Sequence, residues 1–206
     1  PVMPLVQANN YGYTTGIQVQ NAGSSSTSVT ITFTPSAAGS ACTQTKSIAP
    51  GASATFATTA WAAGDSNADN TCPNGASFVG SGRVTTNSTS QELVAIVNQH
   101  SFSANKGAAY GAFGTDSATA KVVMPLINDR NYGYFTGFNV INVGSSNTTV
   151  NCTFSGSSYT INQTLAPGAA LTNVQLNKIG DKYVGSAVCT ATGGDQKIIG
   201  VVNQLN

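Results

Sequence analysis

The chain repeats a stretch of its first 33 residues near its middle, and this internal repeat constrains the fold more than any other feature. Residues 2–33 align without a gap on residues 123–154, and 19 of the 32 aligned positions are identical. Self-similarity of this extent indicates a duplicated structural unit. We therefore predict two homologous domains, one at residues 1–121 and the other at residues 122–206.

The spacing between matching segments falls along the chain and locates the differences between the two units. The offset is 121 at the start, 117 at the Ala-Pro-Gly segments of residues 49–51 and 166–168, and 105 from Phe78 onward. The first unit therefore has four extra residues (121 − 117) before residue 49. It has twelve more (117 − 105) between residue 51 and Phe78.

The four cysteines follow these differences. Cys42 and Cys72 lie in the two insertions, so a bond between them would tie one inserted loop to the other. Cys152 and Cys189 lie in strand-like runs of the second unit, and we interpret those strands as core neighbours whose bond crosses between two sheets. We predict the pairs Cys42–Cys72 and Cys152–Cys189, each adding about 3 kcal/mol by restricting the unfolded chain. Free thiols or a zinc site are disfavoured, because no Cys-x-x-Cys spacing and no histidine beside a cysteine occurs.

Short runs of alternating apolar and polar residues dominate both units, as in SVTITFT at residues 28–34. They are rich in β-branched residues and are separated by clusters of Gly, Asn and Ser, which is typical of strands joined by turns. No segment has helical periodicity. About seven such runs per unit predict an all-β protein made of two tandem β-sandwich domains.

The phrase NYGYTTG at residues 10–16 returns as NYGYFTG at residues 131–137. It separates the first two predicted strands of each unit, and Gly12 and Gly133 allow a tight turn there. We therefore interpret it as a corner of the sandwich whose tyrosines cover one end. The alternative is a glycan site, because surface aromatic rings stack on sugars; its candidate residues are Tyr11, Tyr13, Tyr132, Tyr134 and Trp61.

Composition limits the partners that the chain can have. Charged residues make up 7% of it and its formal net charge is +1. This balance argues against nucleic acid and against an anionic membrane, since both attract proteins through charge. The longest apolar runs, such as residues 93–97, are far too short to span a bilayer.

Four cysteines in a chain that is poor in charge and rich in Ser and Thr indicate an oxidising compartment. The first residue is Pro1, without a basic and apolar leader before it, which favours a leader that has been removed. We expect a secreted, extracellular or cell-surface protein. Asn-x-Ser/Thr triplets mark four candidate glycosylation sites, at Asn87, Asn147, Asn151 and Asn162.

Catalytic and metal-binding patterns are weak. His100 is the only histidine and corresponds to Leu205 in the second unit, so we expect an exposed residue in a linker. No acidic residue is matched by an acid in the other unit, and no Gly-x-Ser-x-Gly elbow occurs. Residues 65–70 alternate oxygen ligands like a calcium loop but lack its later Gly and Glu. We predict neither enzymatic activity nor a cofactor.

The first unit has a tail at residues 100–121 that the second unit lacks. We interpret it as a linker packed between the domains. The alternative is an extra edge strand, which would leave the second unit with an open sheet edge able to recruit another chain. The apolar N-terminal segment would then be an assembly strand that pairs with this edge on a neighbouring copy; it consists of Val2, Met3, Pro4, Leu5 and Val6.

These features together resemble a known kind of protein. The VMPL start, the central Ala-Pro-Gly and the final VNQ strand are similar to the repeated immunoglobulin-like domains of bacterial surface proteins. They also resemble the Ser/Thr-rich, low-charge subunits of bacterial extracellular filaments. The resemblance implies tandem immunoglobulin-like β-sandwiches with a non-enzymatic, structural role in a pilus-like filament or coat, built as a homopolymer. The second interpretation is an adhesin that binds glycans or a host surface.

Overall fold

The computed structural model describes residues 1–59, 61, 69–73, 75–88 and 90–206. These residues form sixteen strands and one short 3₁₀ turn, Thr115–Ser117, so the all-β class that the sequence predicts is confirmed. The chain divides into two compact units, Pro1–Thr115 and Asp116–Asn206. The predicted boundary after residue 121 lies six residues later than this division.

The described residues of unit 1 form nine strands in two sheets. One sheet has the order β1-β7-β3-β4-β6 and the other β5-β2-β8-β9. The strands are β1 Val2–Ala8, β2 Tyr13–Asn21, β3 Thr27–Ala38, β4 Cys42–Ile48, β5 Ser53–Ala57, β6 Asp69–Asn70, β7 Phe78–Thr86, β8 Leu93–Ser101 and β9 Lys106–Gly111.

Unit 2 contains seven strands, again in two sheets. Their orders are β10-β15-β12-β13 and β14-β11-β16. The strands are β10 Lys121–Asp129, β11 Phe135–Asn142, β12 Thr148–Phe154, β13 Thr160–Leu165, β14 Ala170–Val174, β15 Tyr183–Thr192 and β16 Ile198–Leu205.

Each unit is a sandwich because its two sheets contribute to one apolar core. In unit 1 the core joins Ile31 of β3 to Ile17 of β2. In unit 2 it joins Val150 of β12 to Phe138 of β11. Alternating burial along β12 puts every second side chain inward, as the two-residue period of a strand requires.

The two units share one strand order. In unit 2, β10, β15, β12 and β13 take the places of β1, β7, β3 and β4, and β14, β11 and β16 take those of β5, β2 and β8. Strands β6 and β9 of unit 1 have no counterpart among the described residues of unit 2. In an immunoglobulin domain the first, second, fourth and fifth strands share a sheet. Here the first, third, fourth and sixth do, so the strand order differs from the immunoglobulin one.

The first strand of each unit contains the same irregularity. The pairing of β1 with β7 shifts register between Met3 and Val6, and that of β10 with β15 shifts between Met124 and Ile127. A proline lies in each shifted stretch, and proline has no N–H to give to the ladder. The repeated VMPL therefore encodes a β-bulge at the same place in both units.

Both disulfides pair the cysteines as the sequence predicts. Cys42, the first residue of β4, is bonded to Cys72, which follows β6. Cys152 and Cys189 are bonded too, but they lie opposite each other on β12 and β15, neighbouring strands of one sheet. The expectation that this bond crosses between the sheets is therefore wrong, because the sixth strand of the unit pairs directly with the third.

Candidate functional site

The repeated NYGY phrase forms a tight hairpin corner in both units. Tyr13 N–H donates to the Asn10 carbonyl at 2.8 Å, and the corresponding bond in unit 2 is 2.9 Å long. The two central residues have positive φ: 48° at Tyr11 and 79° at Gly12 in unit 1, and 51° and 87° in unit 2. This is the geometry of a type I′ turn.

A tyrosine is an unusual choice for the first central position of such a turn. Bulky residues avoid positive φ, and Asn is the usual residue there. Tyr11 is nevertheless 93% exposed and its counterpart Tyr132 is 88% exposed, so neither ring covers the end of its sandwich. Tyr13 is half-buried and Tyr134 is 42% exposed. The two turn tyrosines are thus the glycan candidates with free rings.

Trp61 does not belong to this set. Its side chain is 1% exposed, and its ring packs edge-on against Phe33 and Phe78 at centroid distances of 5.0 and 5.5 Å. The prediction that Trp61 contacts a glycan is wrong, because the indole is a part of the unit 1 core. The candidate calcium loop at residues 65–70 lies mostly outside the described residues. Among the described residues, no group of three potential metal ligands comes together.

The predicted assembly strand is not free for a neighbour. Residues 2–6 lie in β1, which pairs with β7 of its own unit. Val2, Met3 and Val6 are each at most 1% exposed and belong to the buried interior of unit 1. Removing residues 1–6 would therefore open the core of unit 1, to which Met3 and Val6 belong.

The tail of unit 1 is an edge strand rather than a linker, which is the alternative that the sequence left open. Strand β9 runs antiparallel to β8 over six residue pairs. Beyond it, Ala112 N–H donates to the Ala95 carbonyl at 2.9 Å. Phe113 and Val2 then exchange two backbone bonds of 2.8 and 2.9 Å, which joins the tail to β1 and closes this side of the core. The outer edge of β9 itself has no partner strand among the described residues.

Tyr110 of β9 joins the tail to β1 on the closed side of unit 1 through hydrogen bonds to Leu5. Its hydroxyl donates to the Leu5 carbonyl and accepts the Leu5 N–H at 3.2 Å, at the bulge of β1. Gln99 Nε2 also donates to the Leu5 carbonyl, at 3.2 Å. Burial raises the pKa of the Tyr110 hydroxyl, although its bond to Leu5 acts in the opposite direction. The bulge of β1, where the ladder is interrupted, thus receives its hydrogen bonds from β8 and β9.

The corresponding side of unit 2 is open. Val2 is 1% exposed but Val123, the same residue type at the same place, is 61% exposed. Leu5 is 6% exposed and its counterpart Leu126 is 43% exposed. Val123 and Leu126 correspond to Val2 and Leu5, which both form hydrogen bonds to the tail of unit 1.

The edge of β16 is open as well. Gln99 is 4% exposed, whereas its counterpart Gln204 is exposed. Ile198 exchanges two backbone bonds with Thr119, of 2.9 and 3.1 Å, on the side away from β11. Because backbone groups alternate between the two sides of a strand, every second residue after Ile198 also points away from β11. No strand among the described residues pairs with that side at Gly200, Val202 or Gln204.

Two carboxylates of unit 2 hold loops in place. Asp129 is buried, and its oxygens accept the N–H groups of Asn177, Lys178, Ile179 and Gly180 at 2.8–3.1 Å. Burial alone would raise the pKa of Asp129, but these four bonds outweigh it and lower the pKa. The N–H and hydroxyl of Ser145 and the hydroxyl of Ser146 lower the pKa of Asp195 to about 2. Both side chains are saturated by protein donors, which suits a structural role.

His100 lies within β8 rather than in a linker, so that expectation is wrong. Its Nε2 is 3.0 Å from the Thr14 hydroxyl, and its ring packs edge-on against Phe102 at 4.4 Å. The strand continues through His100 because β9 pairs with it. Of the four candidate glycosylation sites, Asn87, Asn147 and Asn162 are exposed and Asn151 is half-buried in β12.

No family model, no curated protein and no solved structure matches this chain. None of the described residues belongs to a helix with the length and apolarity that a bilayer crossing needs.

Proposed function

We propose that this protein is a non-enzymatic structural subunit of an extracellular assembly, a pilus-like filament or a coat, whose copies join through open sheet edges. The observation that carries this proposal is the difference between unit 1 and unit 2 at the side of the sandwich where the first strand lies. In unit 1 the side is closed by β9, and in unit 2 the same side exposes Val123, Leu126 and the edge of β16. Exposed strand edges with apolar surroundings are templates for pairing with another chain.

The internal repeat supports the same conclusion. The shared strand order and the 19 identities in 32 aligned positions favour two copies of one ancestral unit. We take the closed unit as the complete form and the open unit as a form that is completed by another chain. An open edge that served no partner would be an aggregation hazard, and natural proteins shield such edges.

An extracellular location fits the chemistry of the chain. All four cysteines are in disulfides, which persist in oxidising compartments. Polar but uncharged side chains provide most of the surface polarity, since only 7% of residues are charged. The four Asn-x-Ser/Thr triplets remain predictions for a host that modifies them.

The test is the mass and shape of the purified full-length protein. We expect species far larger than the 20.8 kDa chain in analytical ultracentrifugation, and regular filaments or sheets in negative-stain electron microscopy. Particles should disappear under conditions that break sheet pairing and return when those conditions are reversed. A monomer at all concentrations would overturn the proposal.

A second candidate function is glycan binding through the corner tyrosines. The observation that favours it is that Tyr11 and Tyr132 occupy strained positive-φ positions while their rings are almost wholly exposed. Strain without a packing reason is a pointer to function. The variant with Y11N and Y132N removes both rings and supplies the residue that the turn prefers. Loss of glycan-array binding with unchanged unfolding temperature would support this function; binding that survives both substitutions would exclude the rings.

A further inference from the structure

The geometry points to a specific contact: the free edge of β16 in one copy pairs with the free edge of β9 in the next copy. This inference rests on the proposed structural function and deepens it. The contact uses two of the sheet edges that have no partner strand among the described residues, in place of the N-terminal segment, which is buried in its own unit. The occupant of the open side of unit 2 is therefore unit 1 of a second copy.

The outer edge of β9 is defined by the alternation of its backbone groups. Ala112 donates to β8, so Tyr110 and every second residue before it also face β8. The residues between them turn their N–H and C=O groups away from the sheet. No described strand pairs with this side, which consists of Gly107, Ala109 and Gly111.

Apart from Lys106 at the start of β9, both edges lack the devices that block pairing with another strand. Natural edges carry lysine, proline or a bulge to block pairing. Strand β5 is the other edge of the sheet that contains β9. It is blocked by Lys46, whose ammonium donates to the Thr55 carbonyl at 2.7 Å. Strands β1 and β10 have a proline within their bulges. Strand β16 has neither charge nor proline, and β9 has only Lys106, at its first position.

The side chains on the two edges are complementary in size. In β9, Tyr110 and Ala112 pack on the unit 1 core, so Gly107, Ala109 and Gly111 face the opposite way and form a strip with nothing larger than a methyl group. In β16, Val202 packs on the unit 2 core. The residues of β16 whose backbone groups point to the open edge therefore have their side chains on the core-facing side of the sheet.

Paired residues of neighbouring strands have their side chains on the same face. The small strip of β9 would therefore extend the core-facing side of the unit 2 sheet. On that side, the side chains of Val123 and Leu126 can pack against the strip formed by Gly107, Ala109 and Gly111. Strand β9 of the second copy thereby covers their exposed surface, because its small residues leave space for both side chains.

The contact is head to tail, because the two edges lie on different units of the chain. A heterologous contact leaves one free edge of each kind at the ends of any oligomer, so it grows without limit unless it closes into a ring. This matches a filament and does not match a twofold dimer, which would use one edge twice.

The test removes one outward N–H from each edge without touching the inward ladder. Ala109→Pro does this in β9, and Gln204→Pro does it in β16, where the side chain is exposed. The matched controls Ala109→Ser and Gln204→Ala keep the N–H. We expect both proline variants to be monomers with the circular dichroism and unfolding temperature of the wild type, and both controls to assemble.

Mixing the two proline variants distinguishes this contact from others. Each variant keeps the edge that the other lacks, so the mixture should give a dimer of 41.6 kDa (2 × 20.8) and nothing larger. Loss of assembly in Gln204→Pro alone would mean that β16 pairs with an edge other than β9, and would overturn the inference. Assembly of both proline variants would also overturn it while leaving the structural function standing. A wild-type protein that stays monomeric would overturn both this inference and the proposed structural function.

Discussion

Unit 1 and unit 2 place the same residues in different surroundings. The VMPL segment is buried in one and half-uncovered in the other, although its sequence, its bulge and its partner strand correspond. The difference comes from a strand about 105 residues away in sequence, whose Tyr110 bonds to Leu5. Burial of an edge strand is thus decided by what lies beside it and not by its own residues.

The units also differ in how they hold their loops. Unit 1 secures its insertions with a disulfide and with the buried indole of Trp61. Unit 2, which lacks these insertions, uses the carboxylates of Asp129 and Asp195 as acceptors for loop donors. One unit is therefore fastened by covalent and apolar contacts, and the other depends in part on charge.

The largest effect is expected at Trp61. Trp61→Ala removes a fully buried ring from between Phe33 and Phe78 and should cost unit 1 about 3–5 kcal/mol of unfolding free energy. Calorimetry should show the transition of unit 1 moving to lower temperature. The control is Tyr11→Asn, which removes an exposed ring and should change stability by no more than about 0.5 kcal/mol. Equal effects of the two substitutions would contradict the buried position of the indole.

A matched pair of substitutions tests the comparison of the two sides directly. Leu5→Ala should cost about 2–4 kcal/mol because the Leu5 side chain is buried, and Leu126→Ala should cost under about 1 kcal/mol because the Leu126 side chain is partly exposed. Urea unfolding of the monomeric Gln204→Pro background gives both values without assembly. Similar costs would show that the open side of unit 2 is covered in solution.

Acid should act on unit 2 through Asp129 and Asp195, whose folded-state pKa values are lowered. A lowered folded-state pKa stabilises the fold above the ordinary carboxyl pKa of about 4, and this contribution is lost as the pH falls through the folded-state value. For Asp195 that window runs from about 4 down to about 2.

Asp129→Asn tests the buried carboxylate. The substitution should cost about 2 kcal/mol at pH 7, because it weakens four hydrogen bonds to a charged acceptor. In unfolding curves measured from pH 7 to pH 2, the gap between wild type and variant should close as the pH falls. A gap that is independent of pH would contradict a charged Asp129.

The smallest effect is expected from removing the Tyr110 hydroxyl, which bonds to the Leu5 backbone. Tyr110→Phe keeps the ring and leaves the Leu5 backbone with Gln99 as its remaining side-chain donor, so unit 1 should lose about 1 kcal/mol. Hydrogen exchange at the Leu5 amide should become faster, whereas the Leu126 amide should not change. No change at Leu5 would mean that the bulge does not depend on β9.

The sequence was informative wherever a pattern was local. Alternating runs predicted the strands, and the falling offset located the insertions that contain Cys42 and Cys72. It did not reveal strand order, so it could not show that Cys152 and Cys189 lie on neighbouring strands of one sheet. The uninterrupted apolar run at residues 2–6 indicates a strand buried on both faces, which is why the prediction of a free assembly strand there is wrong.

The difference between the closed side of unit 1 and the open side of unit 2 depends on long-range contacts that a sequence does not display. Four of the six residues of β9 are Gly or Ala, which have low β-propensity, and β9 is a strand because β8 pairs with it. Tyr110 is paired with a backbone 105 residues away. Trp61 lies in an insertion with no counterpart in unit 2, and only the packed core shows that it is buried.

The most direct measurement is residue-specific hydrogen exchange in the wild-type protein, compared between dilute monomer and assembled material. The amides of Val202 and Gln204 should exchange quickly in the monomer and slowly in the assembly, because the edge of β16 gains a partner. The amides of Val97 and Gln99, already paired with β9, should be slow in both. Equal exchange at Val202 and Gln204 in the two states would contradict assembly through the open edge of unit 2.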